Sequence, residues 1–160
     1  MGVEIERKFL VDPEKWEQFN KPEGKRYKQG YLVNEKHKTV RVRIAGNQAF
    51  ITIKGATEGF TRKEFEYEIP LEDGRELQES FDLQGTSKTR YRVPVGGKVW
   101  EIDVFSGENE GLIVAEIELK SENDTFEKPD FLLEEVTDDA RYYNSNLTLH
   151  PFKFWETPAK

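Results

Sequence analysis

The stretch Glu64-Phe65-Glu66-Tyr67-Glu68-Ile69 alternates carboxylates with apolar side chains. Successive side chains of a β-strand point to opposite faces of a sheet, so this stretch predicts a strand with one ionised face and one apolar face. A similar alternation recurs in most of the eight strands that the sequence predicts. These strands lie at residues 3–11, 27–33, 39–44, 48–54, 61–69, 87–94, 98–105 and 112–120.

Helical patterns separate and follow these strands, at residues 13–19, 71–81, 130–136 and 138–149. The first begins at Asp12-Pro13, which provides an N-cap and a proline in the first helical position. Gly96-Gly97 predicts the turn of a hairpin between two of the strands. The pattern is that of an α+β fold, and residues 1–160 are expected to form a single domain.

The composition excludes several classes of protein. The chain has no Cys and two His, which rules out disulfides, cysteine-bound zinc and a histidine-rich metal site. Three Trp, six Tyr and eleven Phe are too many aromatic residues for a disordered chain. The net charge of −7 argues against a nucleic-acid partner. With no run of about 20 apolar residues and no apolar segment at the N-terminus, a cytoplasmic protein without a membrane span is expected.

The ionised faces are sorted by sign from strand to strand. Basic side chains dominate two of the predicted strands and acidic side chains three others, as in Arg41 and Arg43 against Glu64 and Glu66. One alternative is a sheet with this face in water. However, like charges two positions apart on a strand lie only ~7 Å from each other, which is unfavourable unless opposite charges lie between them.

A closed barrel would bring the opposite charges together. About eight strands enclose an interior just wide enough for side chains or one small ligand. We therefore predict an eight-stranded antiparallel β-barrel, a tunnel with a charged interior, whose apolar outer face is covered by flanking helices. Its Arg and Lys side chains would bind an anion such as phosphate. Its carboxylates would bind hard divalent cations.

Several motifs resemble those of the CYTH superfamily, the triphosphate tunnel metalloenzymes. Glu4-Ile5-Glu6-Arg7-Lys8 matches the E-x-E-x-K motif on the first strand of that family. The remaining likenesses follow in the family's order: Arg41-Val42-Arg43, Thr52-Ile53-Lys54, residues 62–68, Lys88-Thr89-Arg90, Glu116-Ile117-Glu118, and a tail that includes Arg141-Tyr142-Tyr143-Asn144. In their order and combination these motifs are similar to those of the small bacterial inorganic triphosphatases.

The resemblance implies a function and a set of site residues. Family members act on triphosphate compounds with Mg²⁺ or Mn²⁺. The substrate phosphates would be bound by Lys8, Arg41, Arg43, Lys54, Lys88 and Arg90. The metal would be held by Glu4, Glu6, Glu116 and Glu118, and Asp103 is a further candidate because its charge lies on the same face. Glu64 and Glu66 would position the attacking water or a second metal, and with Lys8 they form the expected catalytic group.

The substrate stays open among several alternatives. Hydrolysis of inorganic tripolyphosphate to pyrophosphate and orthophosphate is the first choice, because the chain is short and its tail resembles that of the small bacterial triphosphatases. The alternatives are a thiamine or nucleoside triphosphatase, a class IV adenylyl cyclase, and a polyphosphate-binding module without catalysis. The resemblance also suggests two further features, a homodimer and a helix over residues 138–149 that plugs one end of the tunnel. The sequence decides neither.

Overall fold

The computed structural model describes residues 2–155 of the chain, and residue 1 and residues 156–160 at the ends of the predicted domain lie outside the described part. Nine antiparallel strands form one sheet in the order β5-β4-β3-β2-β6-β7-β8-β1-β9, and β5 also pairs with β1. The strands are β1 Gly2–Val11, β2 Lys25–Glu35, β3 Lys38–Ala45, β4 Gln48–Gly55, β5 Thr61–Ile69, β6 Gly85–Val95, β7 Lys98–Ser106, β8 Ile113–Glu118 and β9 Leu132–Glu135. The pairing of β5 with β1 closes the first eight strands into the predicted barrel.

The first strand closes the barrel and also carries the ninth strand. One edge of β1 pairs with β8 from Glu6 to Leu10. The other edge pairs with β5 through its first half and with β9 through its second half. Both edges of this one strand are therefore hydrogen-bonded along most of its length.

The helix predicted at residues 130–136 is wrong, because residues Leu132–Glu135 form β9. The backbone N–H of Val136 donates to the carbonyl of Lys8 at 2.8 Å, and that of Asp12 donates to the carbonyl of Phe131 at 2.8 Å. Strand β5 pairs only with the first half of β1, so the backbone groups of the second half need other partners, because buried backbone groups are almost always paired. Strand β9 provides these partners. Hydrogen bonding to β1 therefore outweighs the local helical pattern of this segment.

The helix predicted at residues 138–149 is interrupted. A 3₁₀ turn spans Ala140–Tyr142, Tyr143 is extended, and α3 spans Asn144–Leu149. Tyr142 packs into an apolar cluster with Phe105, Leu112, Val114, Val136 and Leu147. Tyr143 lies instead against an interior cavity. Because Tyr143 is extended, its side chain points away from that of Tyr142. Two successive residues of one continuous helix would not point in opposite directions.

The first two helices form close to where the sequence predicts them. Helix α1 spans Pro13–Gln18, and the Asp12 carboxylate accepts hydrogen bonds from the N–H groups of its first turn. Helix α2 spans Leu71–Ser80 and packs on β3 and β4. A Cβ atom on Gly74 would lie 2.6 Å from that of Ala49, so the glycine that weakens the helical pattern is what allows the helix to approach the barrel.

The apolar core lies outside the barrel wall, as the strand alternation predicts. Trp100 and Ile102 are fully buried there with Phe9, and Trp16 of α1 packs against the same cluster. Gly96 and Gly97 both have positive φ and form the predicted hairpin turn. None of the helices within residues 2–155 is long and apolar enough to span a membrane.

Candidate active site

The charged faces of the strands meet inside the barrel around two adjoining cavities. The larger has a volume of about 250 Å³. The smaller, of about 50 Å³, shares Glu4, Glu6, Arg41, Lys54 and Asn144 with the first, so the two are parts of one interior. Ten of the residues predicted for the site line the larger cavity: Glu4, Glu6, Arg41, Arg43, Lys54, Glu64, Glu66, Arg90, Glu116 and Glu118. Lys8 lines the smaller one.

A first group of ion pairs joins β1 to β4, β5 and β8. Lys54 Nζ lies 2.9 Å from a carboxylate oxygen of Glu4 and 3.5 Å from one of Glu64. Lys8 Nζ lies 3.0 Å from Glu116. Although burial acts against the charged form, Glu116 and Glu6 raise the pKa of the Lys8 ammonium above its ordinary value. Lys8 therefore stays cationic throughout the neutral range.

A second group joins β6 to β7. The Arg90 guanidinium binds Asp103 through two hydrogen bonds of 2.7 and 2.9 Å, and Lys88 Nζ lies 2.7 Å from the same carboxylate. Lys88 and Asp103 line neither cavity, whereas Arg90, which binds Asp103, lines the larger one. Burial is the main reason why the pKa of Lys88 falls to about 7, and the neighbouring cations Arg90 and Arg43 lower it further. The roles predicted for Lys88 as a phosphate ligand and for Asp103 as a metal ligand stay predictions.

The two arginines of β3 have different partners. Arg41 donates to the hydroxyl of Thr52, which in turn donates to Glu66 at 2.9 Å. Arg43 donates through Nε to the amide oxygen of Gln29 at 3.0 Å, and its guanidinium lies over the ring of Tyr27. Burial, together with Arg41 and Arg90, lowers the pKa of Arg43 to about 10, so that it remains charged at neutral pH.

The carboxylates repel one another inside the barrel. Burial raises the pKa of Glu6 well above its ordinary value, and the charges of Glu116 and Glu4 raise it further. Burial and the charge of Glu4 likewise raise the pKa values of Glu64 and Glu118. A divalent cation would relieve this repulsion, and an all-oxygen set of ligands suits Mg²⁺ or Mn²⁺.

The carboxylates do not by themselves form a cage around an ion. Within residues 2–155, no three acidic or histidine side chains lie close enough together to hold a metal. Glu4 and Glu116 are instead turned toward Lys54 and Lys8. The metal-ligand roles predicted for Glu4, Glu6, Glu116 and Glu118 therefore fit the donor chemistry of the site, and a bound cation would require these ion pairs to rearrange.

Several residues near the cavities were not predicted as site residues. Arg62 lies 3.7 Å from Glu4 and lines the smaller cavity. Arg62 lies two residues before Glu64 and therefore on the same strand face, so strand periodicity could have placed it in the interior. Tyr27 and Asn144 also line the interior, and they have no charge pattern that would single them out.

The residues around α3 lie beside the smaller cavity. Tyr143, Asn144 and Ser145 line it, and the backbone carbonyl of Ser145 accepts a hydrogen bond from Asn34 at 3.0 Å. Lys88 contacts the side chain of Asn144 at 3.4 Å. The plug function predicted for residues 138–149 stays a prediction, since Tyr143 and the first two residues of α3 are the part of this segment that lines the interior cavities.

Residues 2–147 of this chain match the family model of the CYTH domain. The chain belongs to the CYTH family. An inorganic triphosphatase of Acetivibrio thermocellus is 46% identical to this CYTH protein over 154 residues, covering 96% of this chain and 97% of the relative. An inorganic triphosphatase of Nitrosomonas europaea is 35% identical over 156 residues, covering 92% of this chain and 97% of the relative. The resemblance inferred from the strand motifs is thereby confirmed.

A solved structure shares the fold. The crystal structure of an inorganic triphosphatase superposes on this CYTH protein with a TM-score of 0.64 at 33% identity, covering 91% of this chain and 94% of the other. The predicted eight-stranded antiparallel barrel agrees with that fold. The ninth strand and the interrupted C-terminal helix are the features of this chain that the strand pattern did not predict.

Proposed function

We propose that this CYTH protein hydrolyses inorganic tripolyphosphate to pyrophosphate and orthophosphate with Mg²⁺ or Mn²⁺ as cofactor. The observation that carries the proposal is the interior cavity, in which buried cations and carboxylates face each other within about 250 Å³. Phosphoryl transfer depends on positioning and on neutralisation of charge, and this interior supplies groups for both. The near full-length relatives named inorganic triphosphatase support the same substrate.

The size of the interior favours an inorganic substrate over an organic one. Cavities that bind drug-sized organic molecules measure about 300–1,000 Å³. The larger cavity has about 250 Å³, and the smaller end has about 50 Å³. These volumes lie at or below the lower end of that range, which favours a compact chain of three phosphates over a larger nucleoside or thiamine triphosphate.

The mechanism assigns roles by charge and position. Arg41, Arg43 and Arg90, with Lys8 and Lys54, bind the phosphate oxygens. Glu4, Glu6, Glu116 and Glu118 would hold the metal, which when bound neutralises phosphate charge and lowers the pKa of a water molecule. Glu64 and Glu66, on the opposite side of the cavity from Arg90, orient the attacking water in line with the bond to the leaving pyrophosphate.

The test is phosphate release from tripolyphosphate, ATP and thiamine triphosphate, each with Mg²⁺ and with Mn²⁺. The expected result is rapid turnover of tripolyphosphate that is lost in Lys8→Ala and Arg41→Ala. Lys38→Ala, which removes an exposed lysine from β3, serves as the matched control and should retain activity. Cyclic AMP formed from ATP would identify a cyclase instead. Tight binding without any turnover would identify a binding module.

The role of the acidic strand is tested separately. If Glu64→Gln and Glu66→Gln both retained full turnover, these residues would not orient the water. The choice between Mg²⁺ and Mn²⁺ is read from the same assays, because carboxylate oxygens accept both ions.

A further inference from the structure

The central part of β2 presents uncharged side chains to the barrel interior. Tyr27 and Tyr31 line the two cavities, and Gln29 between them is only 2% exposed. This strand lies between β3, which carries Arg41 and Arg43, and β6, which carries Lys88 and Arg90. An uncharged row therefore separates the two cationic strands of the anion site.

Tyr27 contacts a cation from each neighbouring strand. Its ring centroid lies 4.9 Å from the Cζ atom of Arg43 and 5.0 Å from that of Arg90. The face of an aromatic ring attracts a cation, and the attraction increases when water is excluded. A single ring thus stabilises two guanidinium groups that would otherwise repel each other.

Gln29 holds Arg43 without neutralising it. Its Oε1 atom accepts a hydrogen bond from Arg43 Nε at 3.0 Å. Among the described residues, no carboxylate oxygen lies within 4.0 Å of the Arg43 side-chain nitrogens, in contrast to Arg41 and Arg90, which both have acidic partners. Arg43 is 9% exposed, so it is a buried cation whose terminal nitrogens remain available to an anion.

We propose that Tyr27 and Gln29 are positioning residues of the anion site, which keep the Arg43 guanidinium oriented and free of a carboxylate so that it binds a phosphate group of the substrate. This rests on the proposed function for the identity of the anion. Since neither side chain carries a charge, the two residues act through Arg43 and Arg90. A carboxylate at position 29 would pair with Arg43 and compete with the phosphate.

The first test compares Tyr27→Leu with Tyr27→Phe. Tyr27→Leu is expected to raise the KM for tripolyphosphate about tenfold, the loss expected when two contacts of this type disappear. Tyr27→Phe retains the ring and should stay within about twofold of the unaltered protein. Tyr67→Leu is the matched control, because Tyr67 is a half-exposed tyrosine on β5 outside the barrel. Equal losses in the Phe and Leu variants, or none in either, would overturn the role of the ring.

A double-mutant cycle separates positioning from a general structural effect. In an Arg43→Met background, Tyr27→Leu should raise the KM by less than in the unaltered protein, because one of the two cation contacts that it removes, the one with Arg43, no longer exists. Full additivity of the two substitutions would contradict the proposal. Gln29→Glu is the second arm: it should weaken tripolyphosphate binding about tenfold while leaving the thermal midpoint equal or higher, since it adds a charge-assisted hydrogen bond to Arg43.

Binding measured by calorimetry with EDTA present keeps this proposal distinct from the proposed function. If the unaltered protein binds tripolyphosphate but does not hydrolyse it, the hydrolase is lost and the positioning role is still judged from the binding constants. If Tyr27→Leu and Gln29→Glu both bind tripolyphosphate as the unaltered protein does, the positioning role is wrong whatever the activity.

Discussion

Lys8 of β1 and Glu116 of β8 are directly opposite each other in the strand register, and their side chains form a buried ion pair of 3.0 Å. Both side chains are less than 10% exposed. The pair joins the neighbouring strands β1 and β8 on the interior face of the barrel wall. It therefore contributes to both the closure of the barrel and the charge balance of the site.

Removal of one partner of this pair should destabilise the protein more than removal of both. Lys8→Met leaves Glu116 buried with fewer cations around it, and breaking a buried pair in this way costs about 3–5 kcal/mol. The double variant Lys8→Met/Glu116→Gln also removes the carboxylate charge that Lys8 faced and should recover part of that loss. Urea unfolding of the two variants measures the difference. A double variant less stable than Lys8→Met would show that the unpaired Glu116 charge is not the cause of the lost stability.

The stability of the protein should depend on pH through Lys88. The unfolded chain keeps the Lys88 proton up to the ordinary lysine pKa of 10.5, whereas the folded protein releases it near pH 7. Between these values the unfolded state binds more protons, so the free energy of unfolding rises with pH, by up to ~1.4 kcal/mol per unit. Below pH 7 both states carry the proton and this dependence disappears.

Lys88→Met provides the comparison, because Asp103 keeps its two hydrogen bonds to Arg90 in that variant. The unfolding free energies of the two proteins are measured by urea titration from pH 6 to pH 10. The unaltered protein should gain stability over Lys88→Met as the pH rises above 7. Parallel curves would show that Lys88 keeps its proton in the folded state.

Divalent cations should stabilise the folded protein through the crowded carboxylates. Burial and the charges of Glu116 and Glu4 raise the pKa of Glu6, so added Mg²⁺ should increase the thermal midpoint and EDTA should reverse the increase. Glu6→Gln removes one of the repelling charges, so it should raise the midpoint in EDTA and reduce the response to Mg²⁺. Glu68→Gln, at an exposed position of β5, is the control. An unchanged Mg²⁺ response in Glu6→Gln would remove this residue from the metal site.

Thr52 should be needed to orient Arg41. Its hydroxyl is completely buried, accepts a hydrogen bond from Arg41 at 3.3 Å and donates one to Glu66. Thr52→Val keeps the shape and removes both hydrogen bonds, at a stability cost of about 1–3 kcal/mol. We expect kcat/KM for tripolyphosphate to fall about tenfold, since a displaced Arg41 binds phosphate less well. Thr125→Val, at an exposed loop position, should leave the rate unchanged, and equal rates in both variants would exclude Thr52 from the site.

Much of the candidate site could be predicted from strand periodicity. Residues two apart on a strand share a face, so Glu4 and Glu6, or Arg41 and Arg43, had to point into one compartment once the barrel closed. The same reasoning places Trp100 on the apolar side, where it is fully buried. The depth of each residue could not be predicted in this way. Lys88 and Arg90 share a face, yet Arg90 lines the larger cavity and Lys88 lines neither.

The sequence by itself determined the eight barrel strands, the sign of the charge on each inward row and the membership of the CYTH family, because these follow from the order of residues along single strands. Tertiary structure alone decided which carboxylate pairs with which cation, the conversion of residues 132–135 into a strand, and the contacts of Tyr27 and Gln29 with Arg43. Those features depend on strands that are distant in the chain, such as β1 and β9. A local pattern does not contain the backbone groups that a neighbouring strand leaves to be paired, nor the distances across a closed barrel.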